Sequence, residues 1–148
     1  MNPQGILLVE DNPQDELLTL RSLKRVNLAN AVEVVRDGQD ALDYLFHQGS
    51  YGAGPVLPLP AVVLLDLGLP RVGGLDVLKR IRADARTRHL PVVILTSSPE
   101  EQDRLRSYLG GANSFVRKPI DFTEFAETVA RLGVYWMAVN QAPLQEAL

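Results

Sequence analysis

Five side chains that could do chemistry recur at one kind of place in this sequence, the end of a short apolar run. Glu10 and Asp11 follow Ile6–Val9, and Asp66 follows Ala61–Leu65. Thr96 follows Val92–Leu95, and Lys118 lies just past Ser114–Val116. Three carboxylates brought close repel one another, and one of them holds a proton unless a cation lies among them. A hard divalent ion meets that need; Mg²⁺ commonly binds through one or two carboxylates together with phosphate oxygens. A carboxylate can also act as nucleophile and form an aspartyl-phosphate. An ammonium and a metal ion would then neutralise charge on a moving phosphoryl group, and a hydroxyl would hydrogen-bond one of its oxygens. The pocket so implied is a phosphoryl acceptor.

Singly, these residues say little. Glu10-Asp11 reads as a helix-capping pair, Asp66 as the cap of a turn, and Lys118 as a surface lysine. Their joint placement argues for a site, because an open parallel sheet gathers the C-terminal ends of its strands at one crevice.

The elements that must do the gathering can be read from pattern. The runs Ile6–Val9, Val32–Val35, Ala61–Leu65, Val92–Leu95 and the weaker Ser114–Val116 are rich in Val, Ile and Leu and do not alternate. Such runs suit strands covered on both faces. Between them lie segments of helical length. Pro13–Leu28 places Leu17, Leu20, Leu23 and Leu28 near one stripe, with Asn12 as cap. Gly38–His47 carries Ala41, Leu42, Leu45 and Phe46, and Leu75–Ala83 carries Leu75, Leu78 and Ile81 with Lys79, Arg80 and Arg82 outside. Ser98-Pro99-Glu100-Glu101 opens a fourth helix. A last one, from about Asp121 to Val139, sets Phe122, Phe125, Val129, Leu132 and Trp136 on one face. Five strand–helix units with right-handed crossovers give an α/β, doubly wound, five-stranded parallel sheet with five helices. His47–Pro60, with three glycines and three prolines, reads as a long surface loop.

Composition sets limits. A chain of 148 residues has room for one core. Its net charge is −3 with no basic block, which gives no reason to expect nucleic acid or an anionic membrane as partner. There is no cysteine, so disulfides and thiolate metal sites are excluded. The first apolar run is too short for a signal peptide or a membrane span, so a soluble, cytoplasmic protein is expected.

The stretches LLVEDN, LLDLGLPRVGG around Asp66, ILTSS around Thr96 and FVRKP around Lys118 resemble the receiver domains of two-component response regulators, from about Gly5 to Gly133. That likeness implies a flavodoxin-like fold with strand order 2-1-3-4-5, a receiver domain over 1–139 and a C-terminal tail over 140–148. It implies that Asp66 accepts a phosphoryl group from a sensor histidine kinase. Asp11 and Asp66 would ligate Mg²⁺ directly, Glu10 largely through water, and Gly68 through its backbone carbonyl. A cis Lys118-Pro119 peptide is also implied. On modification of Asp66, Thr96 would move toward the phosphoryl oxygen and Phe115 would swing into the vacated space, repacking the face of the fourth helix, fifth strand and fifth helix.

Gly68 departs from the Asn or Met often found there in the family, which leaves the acyl phosphate more open to water; Ser98 sits at a second place where the family tunes hydrolysis. The long Gly/Pro loop and apolar last helix resemble single-domain regulators paired with bacterial phytochrome kinases. Ala126, Ala130, Gly133, Val134 and Met137 form a second apolar side on that helix, suited to a homodimer. A phosphorelay intermediate that passes phosphate to a histidine-containing partner would have the same site. A haloacid-dehalogenase-type phosphohydrolase would need a second acid where Gly68 stands, and a nucleophile near the start of the chain. His47 and His89 show no ligand spacing and read as surface or loop residues.

Overall fold

The computed structural model describes residues 5–97, 100–118 and 121–141, with the side chains of residues 101, 102 and 122 left out. The strands are β1 (Ile6–Val9), β2 (Val32–Val35), β3 (Val62–Leu65), β4 (Val92–Thr96) and β5 (Ser114–Arg117). The helices are α1 (Pro13–Lys24), α2 (Gly38–Leu45), α3 (Gly74–Ala83), α4 (Glu101–Leu109) and α5 (Phe122–Val134). All strand pairs are parallel, and the sheet order is β2-β1-β3-β4-β5. This is the flavodoxin-like arrangement expected, with β1 and β3 flanking the point where the order reverses.

The continuous apolar runs hide a period of two. Leu7, Val9, Val63, Leu65, Val92 and Ile94 turn to one side, where Ala41, Leu42 and Leu45 of α2 and Val77, Leu78 and Ile81 of α3 close the core. Ile6, Leu8, Val62, Leu64, Val93 and Leu95 turn to the other, against Leu23 of α1 and Phe125 and Val129 of α5. In β1, β3 and β4, burial on both faces is why no alternation of polarity was visible, whereas the edge strands β2 and β5 are only partly buried and Glu33 of β2 is exposed.

Several helical details differ from the pattern-based expectation. Helix α1 starts at Pro13 under the Asn12 cap but ends at Lys24. Its buried positions are Thr19, Ser22 and Leu23, while Leu17 is 49% exposed. Of the expected stripe, Leu23 is buried and Leu28 packs on the core, while Leu17 turns outward and Thr19 and Ser22 share the inward side. Of the basic run, Lys79 and Arg80 are exposed, but Arg82 folds inward. Its guanidinium donates to the carbonyls of Arg88, Leu90 and Gly111 and to Asn113 Oδ1, and burial lowers its pKa. The described part of α4 begins at Glu101; Ser98 and Pro99, expected to open it, lie outside the described residues. So do the Lys118-Pro119 step and the tail beyond Gln141.

The last helix runs as α-helix to Val134 and closes in a π-helical turn, Tyr135–Val139. Its supposed second side is largely spent inside the fold. Ala126 and Gly133 are buried, and a Cβ at Gly133 would lie 2.6 Å from Leu23 and 3.0 Å from Leu28. Glycine there lets α5 settle against α1. Val134, Tyr135 and Val139 remain exposed at its end. Among the described residues, no helix is long and apolar enough to cross a membrane.

Candidate functional site

Strand ends place the chemistry. Glu10 follows β1, Asp66 follows β3, Lys118 follows β5, and Thr96 is the last residue of β4. Their backbones are stitched to neighbouring strands: Glu10 N–H donates to Val35, Asp66 N–H to Val9 at 3.1 Å, and Lys118 N–H to Thr96 at 2.7 Å. The side chains are therefore anchored by the sheet rather than by mobile loops.

They meet in one cleft of about 710 Å³, lined also by Asp11, Asp15, Gly68, Gly74, Asp76 and Asp103. Glu10, Asp11 and Asp66 each offer a carboxylate oxygen, and these lie within 4.8 Å of one another. Lys118 Nζ donates to Glu10 Oε1 at 2.5 Å and to Asp15 Oδ2 at 2.9 Å, and stands 3.6 Å from Asp66 Oδ1. Glu10 Oε2 accepts from the backbone N–H of Asn12. Every residue expected at the site is in the cleft except Phe115. That ring lies half-buried on β5, against the core on the α2–α3 side.

Burial pushes Glu10 up to about 7; Lys118 pulls it back and Asp66 adds to the rise. Asp66 is raised as well, chiefly by burial, with Lys118 opposing and Asp11 reinforcing. Lys118 loses by burial but gains more from Glu10 and Asp15, and ends above its usual range. Two acids that resist ionising beside a third describe a pocket short of positive charge. Oxygen donors in that condition fit a hard divalent cation.

The raised Glu10 has a consequence for stability in chelator. The unfolded chain ionises Glu10 near 4.5 and the native chain near 7, so between those values the native state holds the extra proton. Stability therefore falls as pH rises through this window, by about 3 kcal/mol at most. Urea unfolding in EDTA at pH 5 and pH 8 should show the fall, and Glu10→Gln should flatten it. Asp84, held down to about 2 by Arg86, acts with the opposite sign and in a lower window.

Sequence reasoning missed Asp15, which binds the lysine, and Asp76 and Asp103 on the cleft wall. No local signal pointed to Asp15 as the partner of Lys118. Asp11 lies before the Asn12 cap, outside α1, so helical spacing does not relate the two acids. Of the histidines, His89 is exposed, but His47 is half-buried at the end of α2, with φ 53° and no hydrogen-bond partner at Nδ1. Neither lines the cleft.

The chain is similar to several known proteins. FilR2, a probable methanogenesis regulatory protein of Methanothrix harundinacea, is 41% identical over 143 residues, 96% of this chain and 89% of that protein. The bacteriophytochrome response regulator AtBRR is 50% identical with a TM-score of 0.74, covering 99% of this chain and 100% of that one. The phosphorylated cyanobacterial phytochrome response regulator RcpA is 31% identical with a TM-score of 0.86, covering 97% of this chain and 100% of that one. Residues 6–130 match the response regulator receiver domain family, a span that takes in every strand end of the cleft; the chain belongs to that family.

Proposed function

We propose that this chain is a phosphorylation switch in which Asp66 takes a phosphoryl group from a sensor histidine kinase in a Mg²⁺-dependent reaction. The observation that carries this reading is the acid trio within 4.8 Å, with Lys118 3.6 Å from Asp66. Glu10, Asp11, Asp66 and the backbone carbonyl of Gly68 would hold the ion. Bound there, Mg²⁺ supplies positive charge to the oxygens of the transferring group.

The residues divide the remaining work. A carboxylate oxygen of Asp66 attacks phosphorus, and the bond from phosphorus to the phosphohistidine nitrogen breaks. The electron pair of that bond stays on the imidazole, which takes its proton from water. Lys118 keeps Asp66 ionised for the attack and then faces the new negative charge. Thr96, buried at the end of β4, donates its hydroxyl to a phosphoryl oxygen. Phe115, on the adjoining strand, follows into the space that Thr96 leaves, and the face of α4, β5 and α5 changes its packing. A kinase of phytochrome type is the proposed partner, because RcpA and AtBRR are phytochrome response regulators.

The test is direct. Incubated with acetyl phosphate and Mg²⁺, the protein should gain the mass of one phosphoryl group, and should gain none when the metal is chelated. A wild type that stays unmodified with metal present sinks the reading. Light-dependent transfer from a phytochrome kinase tests the choice of partner.

Gly68 offers a further check. A Cβ there would meet nothing nearer than Asp66 Oδ2 at 3.9 Å, so a side chain fits without strain. Gly68→Asn should fold as wild type and lengthen the life of the acyl phosphate several-fold by shielding it from water. The rate of phosphate release after donor removal measures this.

A further inference from the structure

Lysine has three N–H donors on one ammonium, and here two are committed. One goes to Glu10 Oε1 at 2.5 Å and one to Asp15 Oδ2 at 2.9 Å. Asp66 Oδ1, at 3.6 Å, is beyond hydrogen-bond range. Lys118 is only 9% exposed, so little water competes for these donors. Asp15 is the third residue of α1, and its backbone N–H is already satisfied by Asn12 Oδ1 at 3.1 Å. Its carboxylate is not one of the oxygens grouped with Glu10, Asp11 and Asp66.

We propose that Asp15 is a positioning residue: it anchors Lys118 so that the remaining N–H points at the place a phosphoryl oxygen on Asp66 will occupy. This rests on the phosphorylation reading above and adds a residue to it. The physical reason is a difference between the two anchors. Glu10 belongs also to the acid trio and must answer to a cation there, whereas Asp15 lies outside the trio. Without Asp15 the lysine, a flexible chain with four carbons, keeps only an anchor it must share. Orientation lost in the ground state has to be recovered on the way to the transition state, so uptake slows.

The experiment compares wild type, Asp15→Ala and Asp15→Glu, each also in a Lys118→Met background. Uptake from acetyl phosphate should slow about tenfold in Asp15→Ala, the worth of roughly one charge-assisted hydrogen bond. Mg²⁺ affinity by calorimetry and thermal stability should stay near wild type, and Asp15→Glu should restore most of the rate. In the Lys118→Met background, Asp15→Ala should have no further effect. A tenfold loss that persists in that background, an unchanged rate in Asp15→Ala, or a matching drop in Mg²⁺ affinity would overturn the proposal. The Lys118 ammonium resonance, read by NMR without any donor, should lose order in Asp15→Ala. If wild type takes up no phosphoryl group, the switch reading fails, and this resonance still decides whether Asp15 holds the lysine.

Discussion

Asp66→Asn is expected to take up no phosphoryl group from acetyl phosphate and Mg²⁺, where wild type takes one per chain. The amide has the shape of the carboxylate but no charged oxygen to attack phosphorus, so the loss should be complete rather than partial. Folding should not suffer. Asp66 repels Glu10, and its charge is itself opposed by burial, so removing it relieves the cleft. Lys118 keeps its hydrogen bonds to Glu10 and Asp15. The variant should therefore melt no lower than wild type, which separates lost chemistry from lost structure. Intact mass and a thermal melt on the same sample settle both points. Uptake at the wild-type level would place the acceptor elsewhere.

Gly74→Ala should damage fold and site together. The first residue of α3 lies so near the end of β3 that an added Cβ would stand 2.3 Å from the Asp66 carbonyl oxygen and 2.7 Å from Leu67 Cα. Both neighbours are backbone, and Gly74 N–H also donates to the Leu67 carbonyl at 3.0 Å. No side-chain rotation can relieve the contact, so α3 must lift away from the strand. Overpacking of this kind costs about 3 kcal/mol, a large share of the roughly 5–15 kcal/mol that holds a domain folded. The melting temperature should fall by roughly 6–12 °C for a chain of this size. Phosphoryl uptake should slow in the fraction that remains folded, because the displaced backbone carries Asp66. A melt equal to wild type would show that α3 does not sit this close.

How far the candidate site could be read in advance differs residue by residue. Glu10, Asp11, Asp66, Thr96 and Lys118 were legible because each closes or follows an apolar run, and parallel strands all deliver their C-terminal ends to one edge. Asp15 was not legible. Its partner Lys118 is 103 residues away, and an acid in a first helical turn already has a local explanation in the helix dipole. Arg82 misled for a similar reason. In the run Lys79-Arg80-Ile81-Arg82 the three basic residues look alike, and only the carbonyls of Arg88, Leu90 and Gly111 single one out.

The same division holds for the fold. Short runs of Val, Ile and Leu suited strands of a covered sheet, and the helical segments between them suited parallel pairing; composition and local spacing carry that much, but not that the edge strands β2 and β5 are only partly buried. Which strand residue turns to which face, which side of α1 is buried, and how much of α5 is left exposed all depend on neighbours distant in the chain. Glycines 38, 74 and 133 make the point. Nothing beside them in the chain demands a missing side chain, yet an added Cβ at each would fall within 2.6 Å of an atom in another segment. Short-range pattern records what a residue prefers, whereas close packing sets what its surroundings allow.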